Sequence, residues 1–319
     1  MYYEFQAGNN WRTAPVTNIT EHIIQRSQRR YNVAAPLPEV AEAWASLVSS
    51  VYSTDLGLGD ATGVAHIGGS VGGVFFSGDK PTKTMCQVYQ AWEKLIAAAS
   101  KVPVAEPFRY DLVNTGREVL AQLSGVFGKN FSASVKPNQT LSVADVKMTG
   151  TLYVELLHDL DDLLATDPAF AIGPWIAMAK QFATTNGVED CSPNDPGFPT
   201  ITTCARFYEW NSRTQITTWI PTPLNKPIPK GPNDYACKQW SGLVRDYYAA
   251  RVAVVMQQAL VDAAAGRSLD GDRVDLLKAQ LAYNWTTSTS SYPVTPVGDF
   301  VEVSKAMRAK YSRFFAGCQ

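Results

Sequence analysis

The side chains best suited to chemistry are concentrated in one stretch, Arg206-Phe-Tyr-Glu-Trp-Asn-Ser-Arg-Thr-Gln-Ile-Thr-Thr-Trp219. It mixes aromatic faces with amide, guanidinium and carboxylate groups. Such a mixture suits a sugar, because a pyranose offers a C–H face to a ring, its hydroxyls need directed donors and acceptors, and arginine can fork to a neighbouring carboxylate. The same residues also fit a plain helix whose Phe, Tyr and Trp are core and whose Glu209 and Arg213 pair at i,i+4. Composition alone does not choose between the two.

Other constellations carry less. His22, His66 and His158 lie in unrelated contexts, and the Gly-x-Ser-x-Gly match at Gly68–Gly72 leads into no helix, so it makes no nucleophile elbow and Ser-His-Asp catalysis is poorly supported. His158, between leucines and aspartates, reads as helix surface. Glu155, Asp159 and Asp162 share one helical face, but retaining glycosidases place two carboxylates about 5 to 5.5 Å apart across a bond, usually from different elements. An ordinary solvated face is expected there. Residues 55–80 hold eight glycines, yet Gly68-Gly-Ser-Val-Gly-Gly73 is followed by Val-Phe-Phe and Ser-Gly-Asp-Lys-Pro rather than by a helix, as a phosphate loop would need. That stretch reads as a surface or cleft-lining loop.

Five cysteines, at 86, 191, 204, 237 and 318, form no Cys-x-x-Cys pair and only three histidines accompany them, so neither a metal nor a cofactor is expected. Cys191 and Cys204 bracket the breaker-rich Ser-Pro-Asn-Asp-Pro-Gly-Phe-Pro-Thr, which must turn back and reads as a loop pinned by a disulfide; two unrelated thiols are the other reading. Lys plus Arg number 28 against 29 Asp plus Glu, which gives no electrostatic reason for nucleic acid or an anionic membrane as partner. No apolar run approaches the roughly 18 residues of a membrane span. Met1-Tyr-Tyr-Glu-Phe-Gln lacks the build of a signal peptide, yet the sequons at Asn18, Asn130, Asn138 and Asn284 point to glycosylation and secretory processing.

The elements that must position these groups are helices. Apolar residues recur at three and four through Val40–Tyr52, Met85–Ile96, Phe108–Phe127 and Val143–Leu164, and a shorter pattern covers residues 17–31. Pro174 should open a helix to about Phe182, and Ala205–Trp219 is helix-compatible. Asp234 is expected to cap a long helix ended by Gly266, Val274–Trp285 marks another, and Asp299 should cap the last. Without period-two alternation or a repeat length, the fold class is all-α: a multi-helix, bundle-like domain with long loops and little or no β-sheet.

Three segments, Phe108-Arg-Tyr-Asp-Leu, Phe207–Trp219 and Asp234-Tyr-Ala-Cys-Lys-Gln-Trp-Ser-Gly-Leu-Val-Arg-Asp-Tyr-Tyr248, resemble motifs of the α-N-acetylglucosaminidase family in order and spacing. Arg29-Arg-Tyr, Ala43–Tyr52, Glu155–Ala165 and Gly298-Asp-Phe-Val look like family positions too, so the resemblance covers nearly the whole chain. The cysteine-flanked insert and Cys237, where an amide is common, depart from the pattern. The resemblance implies a lysosomal or secreted retaining exo-glycosidase that removes terminal α-linked N-acetylglucosamine from heparan-type glycans, built as a small N-terminal domain, a catalytic barrel and an all-helical domain.

On that resemblance residues 1–54 are a helical pair continuing from an absent barrel, 55–107 a glycine-rich loop with a connecting helix, and 108–319 the main helical domain with an insert at 186–204. Both catalytic carboxylates would belong to the barrel; the second would fall just before Met1, and Glu4 does not take its place. Asn211, Arg213, Trp219, Tyr235 and Lys238 are then expected nearest the substrate, touching it or holding the groups that do. A stand-alone helical carbohydrate-binding or scaffold protein is the competing reading, disfavoured because Met1 begins abruptly inside a motif.

Overall fold

Most helices begin where the sequence supplies a cap. Asn18, Thr82, Ser142, Thr203, Asp270 and Asp299 each turn a side-chain oxygen onto a backbone N–H two or three residues ahead. They open α1 (Ile19–Arg30), α3 (Lys83–Ala98), α5 (Val143–Leu164), α7 (Cys204–Gln215), α9 (Gly271–Thr286) and α10 (Phe300–Tyr311). Pro38 sits in the first turn of α2 (Pro38–Ser49), where its missing N–H costs nothing. The remaining long helices are α4 (Glu106–Ser134), α6 (Ile172–Thr185) and α8 (Ala250–Ala264), the last entered through a π-helical stretch, Val244–Ala249. This computed structural model describes residues 11, 16, 18–52, 62–65, 75–103, 106–185, 191, 198–220, 233, 234 and 236–318. Among them the β-structure is one pair of two-residue strands, β1 (Phe76–Ser77) antiparallel to β2 (Lys80–Pro81), and an isolated bridge between Ala171 and Ser241, so the molecule is all-α.

The centre is the pair α4 and α5. Between Val119 and Gly128 every residue of α4 is buried, as a helix apolar all round must be. Gly116 lets the Trp92 indole reach the α4 backbone, since a Cβ there would stand 2.7 Å from Trp92 Nε1. The α1–α2 pair closes on this centre through buried polar links. Trp44 Nε1 donates to Tyr31 OH at 3.0 Å, Tyr31 OH donates to Asp111 of α4 at 2.8 Å, and Arg30 completes the set on the same carboxylate. One apolar cluster therefore runs from Tyr31 to Cys318.

Three details differ from the expectation. The apolar period places a helix from Phe108, but α4 starts at Glu106 and takes Pro107 into its first turn. The helix expected over Ala205–Trp219 stops at Gln215. Asp234 caps nothing: it has a φ of +57°, Cys237 and Gly242 follow at +43° and +87°, and the chain turns helical only near Leu243. The cap comes instead from α5, where the buried Asp161 accepts from Gly242 N at 2.7 Å and Arg245 N at 3.0 Å. Asp161 lies beside the acidic residues expected to be solvated. Of these, Glu155 is exposed, Asp159 is bound by Lys310 and Tyr311 at 2.5 Å each, and Asp162 takes Arg245 at 2.6 Å.

Two disulfides tie the chain. Cys191 joins Cys204, with Cα atoms 5.5 Å apart, at the start of α7. Cys86 of α3 joins Cys318 across a sequence separation of 232, fixing the C-terminal turn to the core. The four sequon asparagines are all exposed.

Candidate functional site

The stretch Arg206–Trp219 divides into two environments. On α7, Glu209 is buried and surrounded by cations: Arg213 Nη2 at 2.9 Å, Arg206 Nη1 at 2.7 Å and Lys180 Nζ at 3.1 Å. Burial alone would raise its pKa, but the hydrogen bonds and charges of Arg213 and Lys180 prevail and hold it below the ordinary carboxylate value. Arg213 is 0% exposed, lies 5.1 Å from the centroid of Trp285 and 5.4 Å from that of Tyr292, and donates to Ser290 O at 2.7 Å. Its neighbourhood is a core.

Beyond Gln215 the residues Ile216–Thr218 stay buried, and the chain turns out at Trp219. Trp219 N donates to Thr214 O at 2.8 Å, closing the end of α7, and Trp219 itself takes a φ of +57° with 51% of its surface exposed. A bulky residue in the left-handed region is rare, and such conformations gather at binding sites where surrounding structure holds them. Asp234 is laid against this turn, its N donating to Thr217 O at 2.6 Å. The Asp234 carboxylate pairs with Arg251 of α8, which reaches out of the core beside Tyr247. Thr218 Oγ1, Asp234 Oδ1, Tyr248 OH and Arg251 Nε are buried here and lack a partner among the described residues. Orphaned polar atoms are few in native proteins, so this cluster stands out among the described residues.

From Asp234 the backbone runs along a cavity of 270 Å³ lined by Ala236–Trp240 on one side and by Tyr110, Asn114, Arg117 and Phe170 on the other. Arg117 donates to Gln239 Oε1 at 2.7 Å and to Asn114 Oδ1 at 2.9 Å, which fixes two amides with their remaining hydrogen-bonding atoms available. Tyr110 stacks on Phe170 at 5.0 Å, and Lys238 Nζ stands 5.5 Å from the centre of the Trp240 ring. Amide, cation and aromatic faces converge without a carboxylate among the lining residues. That set can bind hydroxyls and a C–H face, and it lacks the carboxylate pair of a retaining glycosidase among the described residues.

Of the residues expected nearest a substrate, the structure brings Lys238 to the cavity and puts Trp219 exposed on the adjoining turn. Asn211 is half-buried on α7 and lines neither this cavity nor a second, larger one. Arg213 is fully buried, a position that suits the supporting role, of the two open to it, better than direct contact. Tyr235 lies outside the described residues. The expectation missed Asn114 and Arg117, although Tyr110, Asn114 and Arg117 are spaced i, i+4, i+7 and so share one polar face of an otherwise apolar helix.

Comparison with known proteins gives a consistent picture. The model of the α-N-acetylglucosaminidase C-terminal domain matches residues 23–310. Human α-N-acetylglucosaminidase is 29% identical over 322 residues, which cover 99% of this chain and 39% of the human protein. A family 89 glycoside hydrolase from Clostridium perfringens, solved in complex with its substrate GlcNAc-α-1,4-galactose, superposes with a TM-score of 0.70 at 21% identity, over 94% of this chain and 32% of its own. The same bacterial enzyme bound to PUGNAc gives 0.71 at 20% identity over the same shares. The chain thus spans about two fifths of the human relative and one third of the bacterial one.

Proposed function

Since the chain belongs to the α-N-acetylglucosaminidase family, whose C-terminal domain it matches, we propose that it forms one wall of the substrate cleft of a retaining exo-glycosidase. The substrate is a glycan ending in α-linked N-acetylglucosamine, with heparan-type chains as the reading carried by the family resemblance. The bacterial relative's disaccharide ends in an α-linked GlcNAc as well. The observation that carries the reading is Trp219, half-exposed in a left-handed turn whose Thr217 carbonyl holds Asp234, two residues ahead of the lining of a carboxylate-free polar cavity. A wall of this kind orients a ring, while two carboxylates on a catalytic domain outside this chain act as nucleophile and general acid/base. Exposed sequons and two disulfides support a lysosomal or secreted setting.

The test is reconstitution. The chain by itself is expected to release no chromophore from a chromogenic α-N-acetylglucosaminide, and to support turnover once joined to a catalytic barrel of the family. Turnover by the chain itself, abolished by mutating one of its own carboxylates, would overturn the reading. Sugar binding by the isolated chain that does not improve in the joined protein would favour a stand-alone binding protein.

A further inference from the structure

A second cavity, of 560 Å³, opens between α5, the π-helical stretch, α9 and the segment after α9, within the range of about 300–1,000 Å³ typical of small-molecule sites. Its lining includes His158, Arg245, Asp246, Ser290 and Tyr292, and it includes Asn284. Tyr292 OH donates to Asp246 Oδ2 at 2.9 Å, leaving the second carboxylate oxygen free to accept. The Tyr292 ring is held in place from beneath. Gly242 leaves room for it, since a Cβ there would stand 2.5 Å from the ring, and the adjoining Pro293 carbonyl would meet a Cβ on Gly173 at 2.0 Å. A fixed aromatic ring with a carboxylate, a guanidinium and a hydroxyl around it offers the groups that a sugar engages.

Asn284 distinguishes this cavity from the other. Asn284-Trp-Thr286 is a sequon, Asn284 is exposed near the end of α9, and it is the one sequon asparagine on this wall. Asn18 is occupied as the cap of α1 and Asn130 Nδ2 reaches Asp79 at 3.5 Å, whereas no protein partner takes the Asn284 side chain among the described residues. A sugar attached there is tethered at the cavity mouth, so its effective concentration is high and weak contacts suffice to seat it.

We propose that Asn284 carries an N-linked glycan whose first residues fold back into this cavity, so that the domain holds its own carbohydrate as a permanent ligand. In the attachment step C1 of the first N-acetylglucosamine of a lipid-diphosphate oligosaccharide bonds to Asn284 Nδ2. The C1–O bond to the diphosphate breaks, the lipid diphosphate leaves with the electron pair, and the displaced amide proton goes to a base of the transferase. The seated glycan covers Tyr292 and braces the segment after α9 against the π-helical stretch. This inference rests on the secretory passage proposed above, and the other sequons report on that passage separately.

The full chain, secreted from a eukaryotic host, is digested for glycopeptide mass spectrometry, and its amide hydrogen exchange is followed before and after enzymatic removal of glycans from the folded protein. The expected result is occupancy at Asn284 and exchange in residues 244–249 and 288–292 that speeds up several-fold on deglycosylation or in Asn284→Gln, but not in Asn138→Gln. A bare Asn284 beside occupied sequons overturns the proposal and leaves secretory passage standing. An occupied Asn284 with unchanged exchange overturns the seating, and a chain with no glycan at all overturns both.

Discussion

Arg213 and Trp219 stand six residues apart in one aromatic-polar stretch and end in opposite environments, the first fully buried against Glu209, the second half-exposed in a left-handed turn. Both have the composition of a sugar site. What separates them is the turn after α7: past the helix end at Gln215, Ile216, Thr217 and Thr218 stay buried, and the left-handed step at Trp219 carries its side chain out. Residue types nominate a site, and the backbone turn decides which of them face it.

The comparison breaks most visibly if the buried half is not a scaffold. Arg213→Ala leaves Glu209 buried with a weakened set of partners, and truncating one member of a buried pair costs about 3–5 kcal/mol. Urea unfolding of the variant is expected to show a loss of that size; a change within about 0.5 kcal/mol would put Arg213 back on the surface. Asp234→Ala strips Arg251 of its carboxylate and is expected to cost somewhat less, about 3 kcal/mol, because the site already carries unpartnered atoms. It should also lower turnover in a joined enzyme by releasing the Trp219 turn.

A pH series sharpens the same contrast. The folded pKa of Glu209 lies below its unfolded value of about 4.3, so its contribution is fully present above that pH and fades as pH falls toward the depressed folded value. Wild-type stability relative to Glu209→Gln is therefore expected to stay constant down to about pH 5 and then shrink. An advantage that grows on acidification would show that the carboxyl is held protonated. The smallest effect on stability belongs to Lys238→Ala, an exposed side chain whose removal should cost within about 0.5 kcal/mol while raising KM in a joined enzyme.

Much of this was legible in the sequence. The bounds of α5, the Asp299 cap and the Gly266 stop follow from local rules, since period and cap chemistry need no partner from elsewhere. Asp234 misled for an instructive reason. An Asp ahead of an aromatic-rich apolar run looks like an N-cap, yet its side chain is taken by Arg251, and the true cap, Asp161, comes from some 80 residues upstream. The Cys86–Cys318 pairing was hidden similarly, because connectivity at a separation of 232 leaves no local trace. Half of the polar cavity could have been found from the spacing of Tyr110, Asn114 and Arg117; that it faces Lys238 and Gln239 is a tertiary fact.

The most direct test of the cleft wall is Trp219→Ala in the joined enzyme, with melting and steady-state kinetics measured on the same sample. A tryptophan that is half in solvent and serves as a platform should leave the melting transition within a few degrees of wild type while kcat/KM falls by about 100-fold or more through lost positioning. A collapsed melting transition, corresponding to the about 3–5 kcal/mol of a large-to-small core change, or unchanged kinetics on an intact fold, would contradict it.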